Sequence, residues 1–326
     1  MYRIAENNNQ WICGIGLLIG LLLPFFLGGC ATGGAGTGGS VAYGNPFYKH
    51  VRELPENRSQ EQESGLNENA PDRQMSARQL ETQGDRLLRQ GHLAGAYSQY
   101  EAALAKAPDN LSVQVKMARV LNLGGYPDDA LKLLRQVVER SPESADAREV
   151  MGISHYLKGE YGHALANLDM ALAMDAGRWQ AFNHKGLIHD IRKEHLLARQ
   201  AFGKAILLRP GQGFLYNNLG VSYALAGKHL QAVEAFQKAI RLKYAPAKVF
   251  NNLGASLAAM ERYEEAFEAF KHGVGETRAL NNLGCMYMLA GKHEAAIKSF
   301  EKAIALSPRF FTVAYQNLKK AEIATQ

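Results

Sequence analysis

The residues in this chain with the most chemistry to offer are ten histidines, three cysteines and three Asn-Asn-Leu-Gly strings. The histidines do not form a site. His92, His163, His195, His229 and His293 fall at expected helix starts and turns, and no two have the i, i+4 spacing of a helical metal site. His184, His189 and Asp190 come nearest to a constellation, yet residues i and i+5 of a helix point about 140° apart, so the two imidazoles serve different faces. No Ser-His-Asp set or carboxylate pair stands out, so the sequence predicts a non-enzyme with no catalytic residue, no metal and no small-molecule substrate. Gly33, Gly34, Gly36, Gly38 and Gly39 lack the preceding strand and following Lys-Ser/Thr of a phosphate loop. Cys285 has no cationic neighbour in sequence to lower its pKa and reads as an inert thiol. The asparagines differ, because a carboxamide both donates and accepts, and a row of them can pair with a peptide main chain regardless of its sequence.

Those asparagines recur in fixed surroundings. Tyr216-Asn217-Asn218-Leu219-Gly220 returns as Phe250-Asn251-Asn252-Leu253-Gly254 and as Leu280-Asn281-Asn282-Leu283-Gly284. Twelve residues after each glycine stands Ala232, Ala266 or Ala296, and four further on Phe236, Phe270 or Phe300. Small residues where two antiparallel helices cross, with an aromatic beside them, define a two-helix unit of about 34 residues, closed in the last copy by Pro308. The pattern resembles the tetratricopeptide repeat (TPR), which implies an all-α superhelical solenoid. Seven repeats are expected over 77–310, the early ones carrying Gly84, Ala96 and Tyr100, then Ala118, Ala130 and Leu134, then Gly152, Ala164 and Leu168, then Gly186, Ala198 and Phe202. Gly254 and Gly284 are only 30 apart, so the sixth repeat has lost about one helical turn near Gly273-Val274-Gly275. Residues 311–326 read as a capping helix with Val313, Ala314 and Leu318 inward.

Ahead of the repeats the composition changes. Residues 1–29 hold an apolar run, Trp11 to Leu27, too short and Pro-interrupted for a comfortable membrane span, and read as an export signal. Leu27-Gly28-Gly29-Cys30 resembles the bacterial lipobox, which implies that Cys30 is lipidated and begins the mature protein; that covalent lipid is the sole cofactor expected. Ala31 after it, by the sorting habit of such lipoproteins, implies the outer membrane, with the protein facing the periplasm. Residues 30–76, rich first in glycine and then in charged and amide side chains, read as a flexible tether. Cys13 would leave with the signal and Cys285 would be the one thiol in the folded part, so stability must come from packing.

The repeats carry the charge. The chain is +6 overall, but from Ala77 onward there are 32 basic and 24 acidic residues. The basic residues are scattered without interleaved aromatics, which argues against nucleic acid. In a TPR the second, fifth, ninth and twelfth to thirteenth residues face the concave groove. By that resemblance Asn183, Asn217, Asn251 and Asn281 form a row, Phe214, Leu225 and Met288 receive apolar side chains, and Lys248 and Arg278 attract acidic groups, together holding an extended protein or peptide partner. The lipobox, the tether and the Asn-Asn-Leu-Gly repeats together resemble the TadD family, the TPR lipoproteins of tight-adherence (Flp) pilus assembly. That resemblance implies a membrane-anchored scaffold helping a secretin or pilus component assemble. A pilotin-type adaptor, an adaptor for cell-wall enzymes, and binding of an acidic partner or nucleic acid stay open as alternatives.

Overall fold

The computed structural model describes residues 74–307 and 312–325. The expected signal, Cys30, the tether up to residue 73 and the closing Pro308 lie outside the described residues.

The described residues form fifteen helices and no strand. They pair as hairpins: α1 (Ala77–Arg89) with α2 (Leu93–Lys106), α3 (Leu111–Leu123) with α4 (Pro127–Arg140), α5 (Ala145–Leu157) with α6 (Tyr161–Met174), α7 (Trp179–Ile191) with α8 (His195–Leu208), α9 (Gly213–Leu225) with α10 (His229–Arg241), α11 (Ala247–Ala259) with α12 (Tyr263–Val274), and α13 (Glu276–Leu289) with α14 (His293–Ala305). A last helix, α15 (Thr312–Ile323), packs on α14. The first helix opens with a reciprocal cap: the Gln79 backbone N–H donates to Ser76 Oγ at 3.3 Å while the Ser76 backbone N–H donates to Gln79 Oε1 at 2.8 Å. The chain divides into two compact units, the division falling inside α7 between His184 and Lys185.

Six of the seven hairpins are held by an aromatic or leucine laid on a bare glycine; the α3–α4 hairpin has Ala118 at that place, packed in one core with Leu134. A Cβ added to Gly220 would stand 2.7 Å from the Phe236 ring, and one added to Gly284 would stand 2.5 Å from Phe300. Tyr100 on Gly84, Leu168 on Gly152, Phe202 on Gly186 and Phe270 on Gly254 repeat the contact, and all of these covering side chains are fully buried. The all-helical fold expected from the Gly…Ala…Phe spacing is the fold observed. Within the carboxy-terminal unit, Phe236, Val249, Leu253, Phe270 and Leu283 join into one core running through successive hairpins.

The turn inside each hairpin puts one residue in the left-handed region. Gly91, Gly125, Gly159, Gly227 and Gly291 occupy it at φ between 70° and 87°, but Lys193 and Glu261 stand at 62° and 59° in the same place. An L side chain there costs roughly 1–2 kcal/mol, against a chain-entropy cost of roughly 0.5–1 kcal/mol for glycine. Lys193→Gly should therefore raise stability by about 0.5–1 kcal/mol, visible as a higher melting temperature; a lower one would contradict this account of the turn.

The shortened sixth repeat lost its connection, not its helix. Four or five residues separate the hairpins that end at α8 and α10 from those that follow, but only Gly275 lies between α12 and α13. Its φ of 81° lets one residue end the first helix and begin the second.

Candidate partner-binding face

The first helices of the carboxy-terminal hairpins lie side by side, α9 next to α11 and α11 next to α13. Residues eleven apart share a helical face, since three turns take about eleven residues. Phe214 and Leu225, Lys248 and Ala259, and Arg278 and Leu289 are such pairs, marking the two ends of one stripe on each helix. The middle of the stripe is closed on α9 and α13, where Asn217, Val221, Asn281 and Cys285 are buried, and half-buried on α11 at Asn251 and Ala255. The ends are open, with Lys248, Arg278 and Ala259 exposed, Leu289 71% exposed, and Phe214 and Leu225 half-buried. Phe214 meets Tyr244 edge to face at 6.2 Å, and Lys248 Nζ sits 5.8 Å over the same Tyr244 ring. Met288 is buried beside Cys285, with His293 Nδ1 3.5 Å from its sulfur. The face is almost without charge. On α9, α11 and α13 the charged residues are Lys248, Glu276 and Arg278 alone.

The asparagines do something other than what their spacing suggested. Asn252 Nδ2 donates to Asn217 Oδ1 at 3.3 Å, joining the fifth position of one repeat to the sixth of the next. Asn217 Nδ2 in turn donates to Asn218 Oδ1 at 3.3 Å. Asn317 on α15 repeats the link by donating to Asn281 Oδ1 at 3.0 Å and to Cys285 Sγ at 3.6 Å. Asn217 and Asn281 therefore tie hairpin to hairpin, and the expectation of carboxamides projecting freely toward a guest main chain is corrected for these two. The rung that would join Asn251 to Asn282 is missing at the shortened connection, where Asn251 Oδ1 is buried without a protein partner. Asn183 lies on the part of α7 that belongs to the amino-terminal unit and is buried.

The histidine constellation comes apart in space. His184 is half-buried against the edge of Tyr156, its Nδ1 donates to the Gln180 carbonyl at 2.8 Å, and desolvation lowers its pKa. His189 Nδ1 is bound to Glu194 Oε2 at 2.6 Å. Asp190, 3% exposed, accepts from His195 Nδ1 at 2.9 Å and from Ser222 Oγ at 2.8 Å. Burial raises the Asp190 pKa, and the His195 and Ser222 hydrogen bonds oppose that rise. The carboxylate stands between hydroxyl and imidazole, so the His195 ring does not touch the serine, and the trio is a staple between α7, α8 and α9 rather than a serine–histidine nucleophile. Sequence reasoning missed it, because Asp190 and Ser222 are 32 residues apart; one repeat length was the only signal.

The amino-terminal unit is stapled by charge. Lys116 Nζ reaches Glu81 and Asp85, each at 2.7 Å, and Tyr100 Oη donates to Asp85 at 2.7 Å. Glu149, 2% exposed, lies between Arg119 at 3.2 Å and Arg178 at 3.3 Å; burial pushes its carboxyl pKa up and the two guanidiniums pull it back. On the turn between α5 and α6, Lys158 at 2.8 Å and His155 at 2.6 Å hold the exposed Glu160 carboxyl down at about 2, against 4.5 when free. A lowered carboxyl contributes stability that is complete above pH 4.5 and is lost as pH falls toward 2. Glu160→Gln should flatten the dependence of melting temperature on pH between about 5 and 2, and an unchanged slope would remove Glu160 from that role.

Tandem antiparallel hairpins, six of the seven locked by an aromatic or leucine on a bare glycine, define a repeat scaffold of the kind that binds protein partners. Tetratricopeptide-repeat models match residues 87–151, 215–246 and 277–310, none of them describing a catalytic domain, and the chain is a tetratricopeptide-repeat protein. Among solved structures it is similar to the MamA protein (28% identity over 53% of this chain and 94% of that one, TM-score 0.41). It is also similar to pilF of Pseudomonas aeruginosa (23%, 64% and 96%, TM-score 0.51) and to a thermophilic TPR protein of Thermus thermophilus (19%, 56% and 99%, TM-score 0.51). The latter two share the fold. No curated protein matches the chain.

Proposed function

We propose that this chain is a lipid-anchored TPR scaffold of the outer membrane, facing the periplasm, that holds a segment of a protein partner on the α9–α11–α13 face and so assists assembly of a pilus or secretion machine. The observation that carries the binding reading is that face: nearly uncharged, floored by buried Asn217 and Asn281 with half-buried Asn251 between them, and open at both edges. Phe214, Leu225, Lys248, Asn251, Arg278 and Met288 are the side chains on it that a partner meets or that back its floor, and buried Asn217 and Asn281 keep neighbouring hairpins in register beneath. The anchor rests on Leu27-Gly28-Gly29-Cys30, and the outer-membrane address on Ala31. More than one acyl chain is needed for a stable anchor, because each buried methylene is worth only about 0.8 kcal/mol.

Two measurements test this. Metabolic labelling with a palmitate analogue should mark the native chain and not Cys30→Ser; label retained by the variant would remove the anchor. Ala259→Asp with Leu289→Asp should cut capture of the partner from solubilised membranes at least tenfold, because both sites are exposed on the proposed face. Lys238→Glu with Lys302→Glu, on the second helices α10 and α14, should leave capture intact. Equal loss in both pairs would point to diffuse electrostatics and overturn the groove.

A further inference from the structure

The face just described restricts the shape of its guest. An extended chain arrives with a main-chain N–H and C=O at each residue, all needing partners once buried. Two of the groups expected to supply them on this face are taken, since Asn217 accepts from Asn252, Asn281 accepts from Asn317 and both are buried; Asn251 alone keeps an oxygen without a protein partner, too few for an extended main chain. A helix brings its main chain already satisfied and asks the groove only for side-chain contacts. The two open edges match such a guest. At the helix starts stand Lys248 and Arg278, with no acidic residue anywhere on α9 or α11; at the helix ends stand Leu225, Ala259 and Leu289. Eleven residues separate the edges, about 16 Å along the axis, which a helix about 10–12 Å across spans once Lys and Arg side chains lean inward.

We infer that the guest is an amphipathic helix of a protein partner, lying across α9, α11 and α13 with an acidic stripe against Lys248 and Arg278 and an apolar stripe against Leu225, Ala259 and Leu289. This rests on the proposed use of that face and adds the conformation and charge of what occupies it. The cationic edge sets orientation, since a helix laid down the other way would put its carboxylates against leucine. The aliphatic edge supplies apolar contact, and Leu289, 71% exposed, gains most on being covered.

The test uses the detergent-solubilised full chain and two displayed libraries of 18-residue peptides, one randomised on an alanine-based helical frame and one interrupted by proline so that it stays extended. The helical library should yield binders with an acidic stripe beside an apolar stripe. Their affinity should fall at least tenfold in Leu289→Asp, and in the Lys248→Glu, Arg278→Glu double variant their acidic residues should become a disadvantage, so that lysine-substituted versions bind better. Binders from the extended library alone, or helical binders with basic stripes, overturn the inference. If those extended binders are still lost in Leu289→Asp, use of the face survives while the helical guest does not; no binder from either library removes both.

Discussion

Gly220→Leu destabilises the carboxy-terminal unit by roughly 1–3 kcal/mol. The cause is local: a Cβ at this position already stands 2.7, 2.8 and 3.0 Å from Phe236 ring carbons, and Phe236 is fully buried. The ring has nowhere to go, because Val249 and Phe270 belong to the same core. Thermal melts should show the loss, and hydrogen exchange should place it in α9, α10 and their neighbours first, since stability in a repeat array is nearly a sum over adjacent units. A double-mutant cycle gives the sharper reading. Phe236→Ala alone costs about 3–5 kcal/mol for the cavity, but in the Gly220→Leu background the new side chain enters that space, so the combined loss should fall short of the sum by about 0.5–3 kcal/mol. Simple additivity would mean that the two residues do not share the crossing point.

Asn217→Ala and Asn281→Ala should each cost about 1–3 kcal/mol, because each takes the oxygen partner from a buried donor: Asn252 Nδ2 in one case, and in the other Asn317 Nδ2, which is left with only the weak acceptor Cys285 Sγ. Asn251→Ala, at the missing rung, removes no bond and relieves a buried oxygen that has no protein partner, so it should be near neutral in a melt. The three substitutions look alike in sequence, each removing the fifth residue of a repeat. Equal melting curves for all three would refute the inter-repeat ladder and return the asparagines to the groove. A loss of stability confined to Asn217 and Asn281 would establish them as ties between hairpins.

The fold was legible because its determinants are local and repeated. Gly220, Ala232 and Phe236 announce one helix crossing, and the same triplet at Gly254 and Gly284 announces two more; Leu168 does for Gly152 what an aromatic does elsewhere. The loss of four residues near Gly275 was visible as a spacing of 30, although only the structure shows that the connection was shortened and the helix kept. The Asp190–Ser222 bond and the Arg119–Glu149–Arg178 cluster were not legible. Each joins residues about one repeat apart whose types are unremarkable alone, and a partner in the next hairpin leaves no mark on the spacing within one.

What the sequence by itself determined is the hairpin: helical period, small residue at the crossing and aromatic opposite it lie within one unit of about 34 residues and need no information from elsewhere. What tertiary structure decided is the fate of polar groups between hairpins. Asn217, Asn251 and Asn281 occupy the same place in the repeat, yet two are buried in bonds to the next unit and the third has lost its rung where Gly275 alone connects α12 to α13. A carboxamide pairs with whatever the neighbouring helix brings within about 3 Å, and that distance is set by stacking of the units, which composition and periodicity do not encode.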